Sequence, residues 1–324
     1  MRFPLLSSGL FVLGVCTTGC GSVAEAPTND AGSADGGAGA DGASASDSAS
    51  SDGSTLDLDG AIGGDRLVAV HVPPGYVAGV PAPLVLMLHG YSATAAIEEG
   101  YLKFTAQSDA RGFLYATPEG RADSMGNHYW NATDACCDFD ATHVDDSTYL
   151  SNVIKQIEAQ YSVDPKKVFL IGHSNGGFMS YRMACDHGDQ IAAIASLAGA
   201  MYSDVTKCAA KQPVSILEIH GTADTTIAYG GGMIGVTPFP GATTTVSDWV
   251  TIDGCSATGD TSAPPLDLVT TLPGSETTIT RYATGCMPGG GAELWTVAGG
   301  EHIPGLSATF TTDVIDFLYA HSKP

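Results

Sequence analysis

The chain has 324 residues, of which 44% are hydrophobic and 15% charged. That is apolar material enough for one large core, and it excludes a wholly disordered chain. The formal net charge is −22 with 13 basic residues, so the basic surface that nucleic-acid binding needs is missing. No uninterrupted apolar run is long enough to span a bilayer as a helix.

In chain order, the first element is a leader. Arg2 precedes an apolar run from Leu5 to Val15, and small residues and a cysteine follow at Thr17, Thr18, Gly19 and Cys20. A charged start, a short apolar centre and a small-residue cleavage zone read as a signal peptide over 1–20, of bacterial lipoprotein type. Cys20 is the candidate lipidation site, although Thr17 stands where a lipobox usually has Leu. The expected location is therefore secreted or lipid-anchored at the cell surface, with membrane contact only through that anchor. Residues 21–60 carry eight acidic residues and no basic one among Ala, Gly and Ser. So little can be buried there that a disordered linker is expected. Asp57, Asp59 and Gly60 match only a fragment of a calcium loop and read as solvated tail.

Residues 61–324 read as one α/β domain. Arg66–Val72 alternates like an edge strand, and Leu84–Leu88 is a continuous apolar run suited to burial on both faces. Phe113–Ala116 is a further short strand. In 146–161, Tyr149, Leu150, Val153, Ile154 and Ile157 share one helical face. Val168–Ile171 reads as a strand followed directly by a helix through Cys185. Ile191–Leu197, Val214–Ile219 and Glu293–Val297 supply more strands, and Phe310, Val314, Phe317 and Leu318 mark a last helix. This alternation predicts a mostly parallel central sheet with helices on both faces.

Three loops carry chemistry. Gly172-His173-Ser174-Asn175-Gly176 fits G-x-S-x-G between a strand and a helix, the context in which a serine is held on a tight turn as a nucleophile. A serine needs a base and an acid to orient that base, in the chain order Ser, Asp/Glu, His. Asp224 follows the strand 214–219, and His302 follows the strand 293–297, so the expected triad is Ser174, Asp224 and His302. His89, His173 and His220 sit too close to strand ends for the last place and read as neutral structural rings. The oxyanion hole is expected from the backbone N–H groups of Asn175 and of Tyr91, in His89-Gly90-Tyr91-Ser92. Tyr91 and Trp130 are candidate substrate contacts, whereas Trp249 reads as core. Gly230–Pro240 reads as a Gly- and Pro-rich mobile rim beside Asp224. No metal-ligand spacing is present, so neither a metal nor a cofactor is expected.

From about Leu67 onward the chain resembles the secreted esterases grouped with polyhydroxybutyrate depolymerases and feruloyl esterases. The resemblance rests on an ordered series: Leu88-His89-Gly90, Thr117-Pro118-Glu119-Gly120, Trp130-Asn131, Val144-Asp145-Asp146, the 172–177 elbow, His220-Gly221-Thr222-Ala223-Asp224, Tyr229-Gly230-Gly231 and Gly299 to His302. It implies an α/β-hydrolase fold and a Ser–Asp–His triad on Ser174, Asp224 and His302. It also implies an ester-bearing polymer as substrate. Feruloyl-type esters of plant polysaccharide come first, a poly(3-hydroxybutyrate) polyester or acetylated xylan second. A catalytically silent polysaccharide-binding module is the rival from another class. Two positions depart from the family: Ile303-Pro304-Gly305 stands where relatives have Trp-Pro-Gly, and Glu301, read as solvated, replaces a third glycine.

Six cysteines fall in the domain, an even number that predicts disulfides in an oxidising compartment. Cys255 and Cys286 are the first expected pair, a closure that would contribute roughly 3–4 kcal/mol. A bond between the neighbours Cys136 and Cys137 looks awkward, so each is expected to pair elsewhere, with Cys185 and Cys208. The sequence does not give the oligomeric state.

Overall fold

The computed structural model describes residues 61–210 and 212–324. The leader, Cys20 and the 21–60 linker lie outside the described residues.

The hydrophobic runs build one sheet of eight strands in the order β1-β3-β2-β6-β7-β8-β12-β11. Its members are β1 (Ala69–His71), β2 (Ala82–Leu88), β3 (Leu114–Thr117), β6 (Val163–His173), β7 (Ala193–Leu197), β8 (Ser215–Gly221), β11 (Thr277–Tyr282) and β12 (Ala292–Val297). The six inner strands run parallel, and β1 and β11 close the two edges antiparallel. Leu84 to Leu88 are each fully buried because helices cover both faces, which is why that strand reads as continuous rather than alternating. Two small hairpins stand apart from the sheet: β4 (Arg121–Ala122) with β5 (His128–Tyr129), and β9 (Gly231–Ile234) with β10 (Thr237–Pro240). The Gly- and Pro-rich segment 230–240 thus contains a hairpin.

The helices are α1 (Ala95–Leu102), α2 (Phe104–Arg111), α3 (Asp146–Gln160), α4 (Asn175–Asp186), α5 (Ala242–Ile252) and α6 (Phe310–Ala320). Asp145 caps α3 by accepting from Thr148 N–H. One face of the sheet packs on α3, α4 and α5 through Ile154, Phe178 and Trp249; the other packs on α6 through Phe310, Val314 and Leu318. The parallel strands β2, β6, β8 and β12 all end on one side of the sheet. The loops that leave them carry His89, Ser174, Asp224 and His302, so the topology gathers these residues on one rim.

The cysteine expectation needs correction. Cys136 and Cys137 are bonded to each other, and Cys185 is bonded to Cys208. The peptide between the neighbours is cis, which leaves their Cα atoms 3.0 Å apart with the sulfurs in reach. Cys255 pairs with Cys286.

Candidate active site

Strand β6 delivers Ser174 to the first turn of α4. The serine has φ 53° and ψ −119°, a backbone state that L-residues rarely adopt and that lifts Oγ off the sheet. Both flanking glycines are required by close approach: a Cβ on Gly172 would collide with the Gly176 carbonyl, and one on Gly176 with the Leu88 carbonyl.

Ser174 Oγ lies 3.0 Å from His302 Nε2, and His302 Nδ1 lies 2.7 Å from Asp224 Oδ2. The other oxygen of Asp224 accepts the N–H groups of Thr226 and Ile227 at 2.8 and 2.9 Å. Burial alone would disfavour this carboxylate. Hydrogen bonds from His220 and His302, the charge of His302 and the Ile227 N–H outweigh that and hold its pKa well below the usual range. The three residues expected from separate loops therefore form one hydrogen-bonded line.

Asn175 is the first residue of α4, so its N–H has no carbonyl within the helix to bond. Tyr91 follows Gly90 in the turn after β2, beside Ser174 in the same hollow. Its phenol donates to Asp123 Oδ2 at 2.6 Å. The hollow has a volume of about 530 Å³. Tyr91, Ile97, Tyr101, Thr226 and Ile303 form much of its wall.

Trp130 does not line this hollow, which corrects its expected role. It is fully buried: its backbone N–H and carbonyl bond reciprocally to the Asn175 side-chain amide at 2.7 and 2.9 Å, and its indole N–H bonds the His89 carbonyl at 3.1 Å. It is therefore an anchor beneath the elbow. Trp249 is buried as expected, with its indole N–H on the Val214 carbonyl. Asn131, whose sequence context is a glycosylation sequon, turns its amide inward to the Val144 carbonyl at 2.8 Å. Glu301 is exposed.

The three supporting histidines differ. His89 accepts the Gly120 N–H at Nε2 and lies 2.8 Å from the Gly90 carbonyl at Nδ1, which makes it a neutral ring; burial also lowers its pKa. His173 reaches the His302 carbonyl at 3.0 Å through Nε2 and faces Glu98 at 3.2 Å through Nδ1. His220 is set apart by its two acidic partners, Glu218 at 2.8 Å and Asp224 at 3.5 Å. Burial pulls its pKa down, but hydrogen bonds to Asp224 and Glu218, the charge of Glu218 and the Ile227 carbonyl push it up to about 10.

Sequence reading missed Glu98, which is buried on α1 and accepts the Gly90 N–H at 2.9 Å. It also missed Tyr101, whose hydroxyl bonds the Pro304 carbonyl at 2.9 Å. Thr94, a helix N-cap type four residues before Glu98, was the available signal for this helix. Among the described residues there is no cluster of three or more metal-type side chains, and no helix is long and apolar enough to cross a membrane.

A mostly parallel sheet whose strand-to-helix elbow presents a serine to a His–Asp pair defines an α/β-hydrolase of the serine type. Residues 60–258, more than half of the chain, match the esterase family described as "Putative esterase", and the chain belongs to that family. It is similar to feruloyl esterase B of Piromyces equi, with 30% identity over 207 residues that cover 61% of this chain and 38% of that protein. It is also similar to poly(3-hydroxyalkanoate) depolymerase C of Paucimonas lemoignei, with 29% identity over 182 residues that cover 55% of this chain and 42% of that protein. The matches thus span less than half the length of these two relatives. Among solved structures, an acetyl xylan esterase from Aspergillus awamori superposes with a TM-score of 0.57 at 17% identity, over 79% of this chain and 94% of that one, which shows a shared fold.

Proposed function

We propose that this protein is an exported serine carboxylic-ester hydrolase acting on esters carried by a polymer. The observation that carries the reading is the continuous line Ser174 Oγ, His302, Asp224, at 3.0 and 2.7 Å. His302 Nε2 takes the Ser174 proton as Oγ attacks the ester carbonyl. The N–H groups of Asn175 and Tyr91 receive the oxyanion, each contributing about 2.7–4 kcal/mol. His302 then protonates the departing alkoxide. Water, activated by the same imidazole, releases the acid and restores Ser174. No cofactor enters these steps.

Feruloyl-type esters of polysaccharide are the first substrate class. The hollow beside Ser174 is walled by Tyr91, Tyr101, Ile97 and Ile303, an apolar surface suited to an aromatic acyl group. The naming of relatives as feruloyl esterase and polyhydroxyalkanoate depolymerase supports a polymer-borne ester and keeps the polyester as the second class. Three disulfides fit an oxidising compartment and hence export.

The test is ferulate release from methyl ferulate by the full chain, beside Ser174→Ala. Turnover in the wild type that falls at least about 10³-fold in the variant is expected. Equal turnover in both would sink the serine mechanism and favour a silent binding module. Turnover of hydroxybutyrate oligomers or acetylated xylan, with none of methyl ferulate, would move the substrate to those classes.

A further inference from the structure

Two ionisable groups stand behind Asp224 with no part in the chemistry so far. Glu218 and His220 lie two residues apart on β8, so their side chains share one face of the sheet. Both are buried, with Glu218 wholly inside. His220 Nδ1 is 2.8 Å from Glu218 Oε1, and the second oxygen of Glu218 accepts the Tyr181 hydroxyl of α4 at 3.0 Å. His220 Nε2 is 2.7 Å from the Ile227 carbonyl and 3.5 Å from Asp224 Oδ2. A carbonyl only accepts, so Nε2 carries a hydrogen.

A carboxylate inside a sheet is costly where an apolar side chain would fill the space. The contacts of this one run toward Asp224. Ile227 supplies its N–H to Asp224 Oδ1 and its carbonyl to His220, so the imidazole holds the 224–227 turn from behind while His302 meets it from the front.

We propose that Glu218 and His220 are positioning residues for Asp224: a doubly protonated imidazole, held by Glu218 and the Ile227 carbonyl, sets the orientation and the effective charge of that carboxylate. The inference rests on the esterase reading above. The groups facing His220 are Glu218 on its own strand, Asp224 on the following loop, the Tyr229 ring at 5.7 Å and, beyond Asp224, His302. Tyr181 reaches it through Glu218. The elevated pKa of His220 agrees with a charged ring. Its positive charge offsets part of the field that Asp224 exerts on the imidazole of His302.

Glu218→Gln isolates this effect. The new amide can donate to His220 Nδ1 while its oxygen still accepts from Tyr181, and a neutral imidazole still donates from Nε2 to Ile227. The hydrogen bonds survive and two charges go, the positive one on His220 beside Asp224 and the negative one on Glu218 behind it, so the nearer, positive charge sets the direction of the change. Two measurements on the full chain test the idea. In ¹⁵N-histidine NMR, both ring nitrogens of His220 should carry hydrogen at pH 7 in the wild type, and only Nε2 in Glu218→Gln. In the pH profile of kcat/KM for methyl ferulate, the acid limb of the variant should move to higher pH by roughly half a unit to one unit. A folded variant with an unmoved limb, or a neutral His220 in the wild type, overturns the proposal. A wild type without esterase turnover removes the role along with the parent reading. The NMR result, which needs no turnover, then tells whether the pair itself was read correctly.

Discussion

Glu98 is the residue that ties down the turn after β2, which the proposed mechanism uses to receive the oxyanion. Its Oε2 holds the Gly90 N–H at 2.9 Å, one residue before the Tyr91 N–H that the mechanism uses. Its Oε1 faces His173, which in turn bonds the His302 carbonyl. One buried carboxylate thus joins the loop after β2 to the loop after β12. Glu98→Ala leaves the Gly90 N–H without its acceptor in a buried place, at a cost of about 1–3 kcal/mol, and frees the turn that aims Tyr91. The expected result is a fall in kcat of about 10- to 100-fold with a smaller change in KM, since the loss falls on the transition state. Glu98→Gln keeps an acceptor for Gly90 and should recover most of the rate. Steady-state kinetics on methyl ferulate decide it: equal rates for wild type and alanine variant would remove Glu98 from the positioning of the site.

At the scale of elements, the elbow succeeds because β2 and α4 approach as closely as backbones can. Gly176→Ala would push a methyl into the Leu88 and His89 carbonyls at the end of β2. Neither is a flexible side chain, so the strand and helix must part. A loss of at least about 3 kcal/mol in unfolding free energy is expected. Gly100→Ala is the control: it is exposed on α1 with no atom within 4 Å of the new Cβ, and the substitution should be neutral or stabilise by up to about 1 kcal/mol in the same denaturation experiment. The same closeness made this part of the fold legible. Strands buried on both faces are written as unbroken apolar runs, and the elbow glycines are written in the motif. Other elements were not readable, for definite reasons. Helix α5, ATTTVSDWVTI, is rich in β-branched residues that favour strands, yet Ala242, Thr245, Val246, Trp249 and Val250 are buried at helical spacing, so packing overrides propensity. Strand β11 is polar at four of its six positions, Thr277, Thr278, Thr280 and Arg281, because it lies at an edge. Helix α1 hides because its inward face includes Glu98, an acidic residue that periodicity assigns to solvent. The Cys136–Cys137 bond depends on a peptide geometry that spacing does not encode.

For the whole molecule the governing quantity is acidity, with a net charge of −22 over the chain. Basic groups are largely spent on local pairs such as Arg66–Asp146, Arg182–Asp186 and Arg281–Glu293. Among the described residues six carboxylates are buried, and two of these bear most on stability against pH. Asp224 limits the acid side: its folded pKa lies below the ordinary value, so its contribution is present above about pH 4 and is lost as the pH falls through the folded value. Asp253 limits the other side. It follows α5, is fully buried and accepts the Gly291 N–H at 3.0 Å through Oδ2, while Oδ1 has no partner. Burial pushes its pKa up to about 7, against the pull of the Gly291 N–H. The folded state therefore holds this proton more tightly than the unfolded chain. Stability from Asp253 declines as the pH rises from about 4 to 7, and the group then remains a buried charge whose hydrogen bonds do not offset its desolvation. Asp253→Asn keeps an acceptor for Gly291 and removes the titration. Its advantage over the wild type in urea unfolding should be small near pH 4.5 and grow to the order of 4 kcal/mol by pH 8. A constant difference between the two proteins across that range would show that Asp253 does not set the alkaline limit.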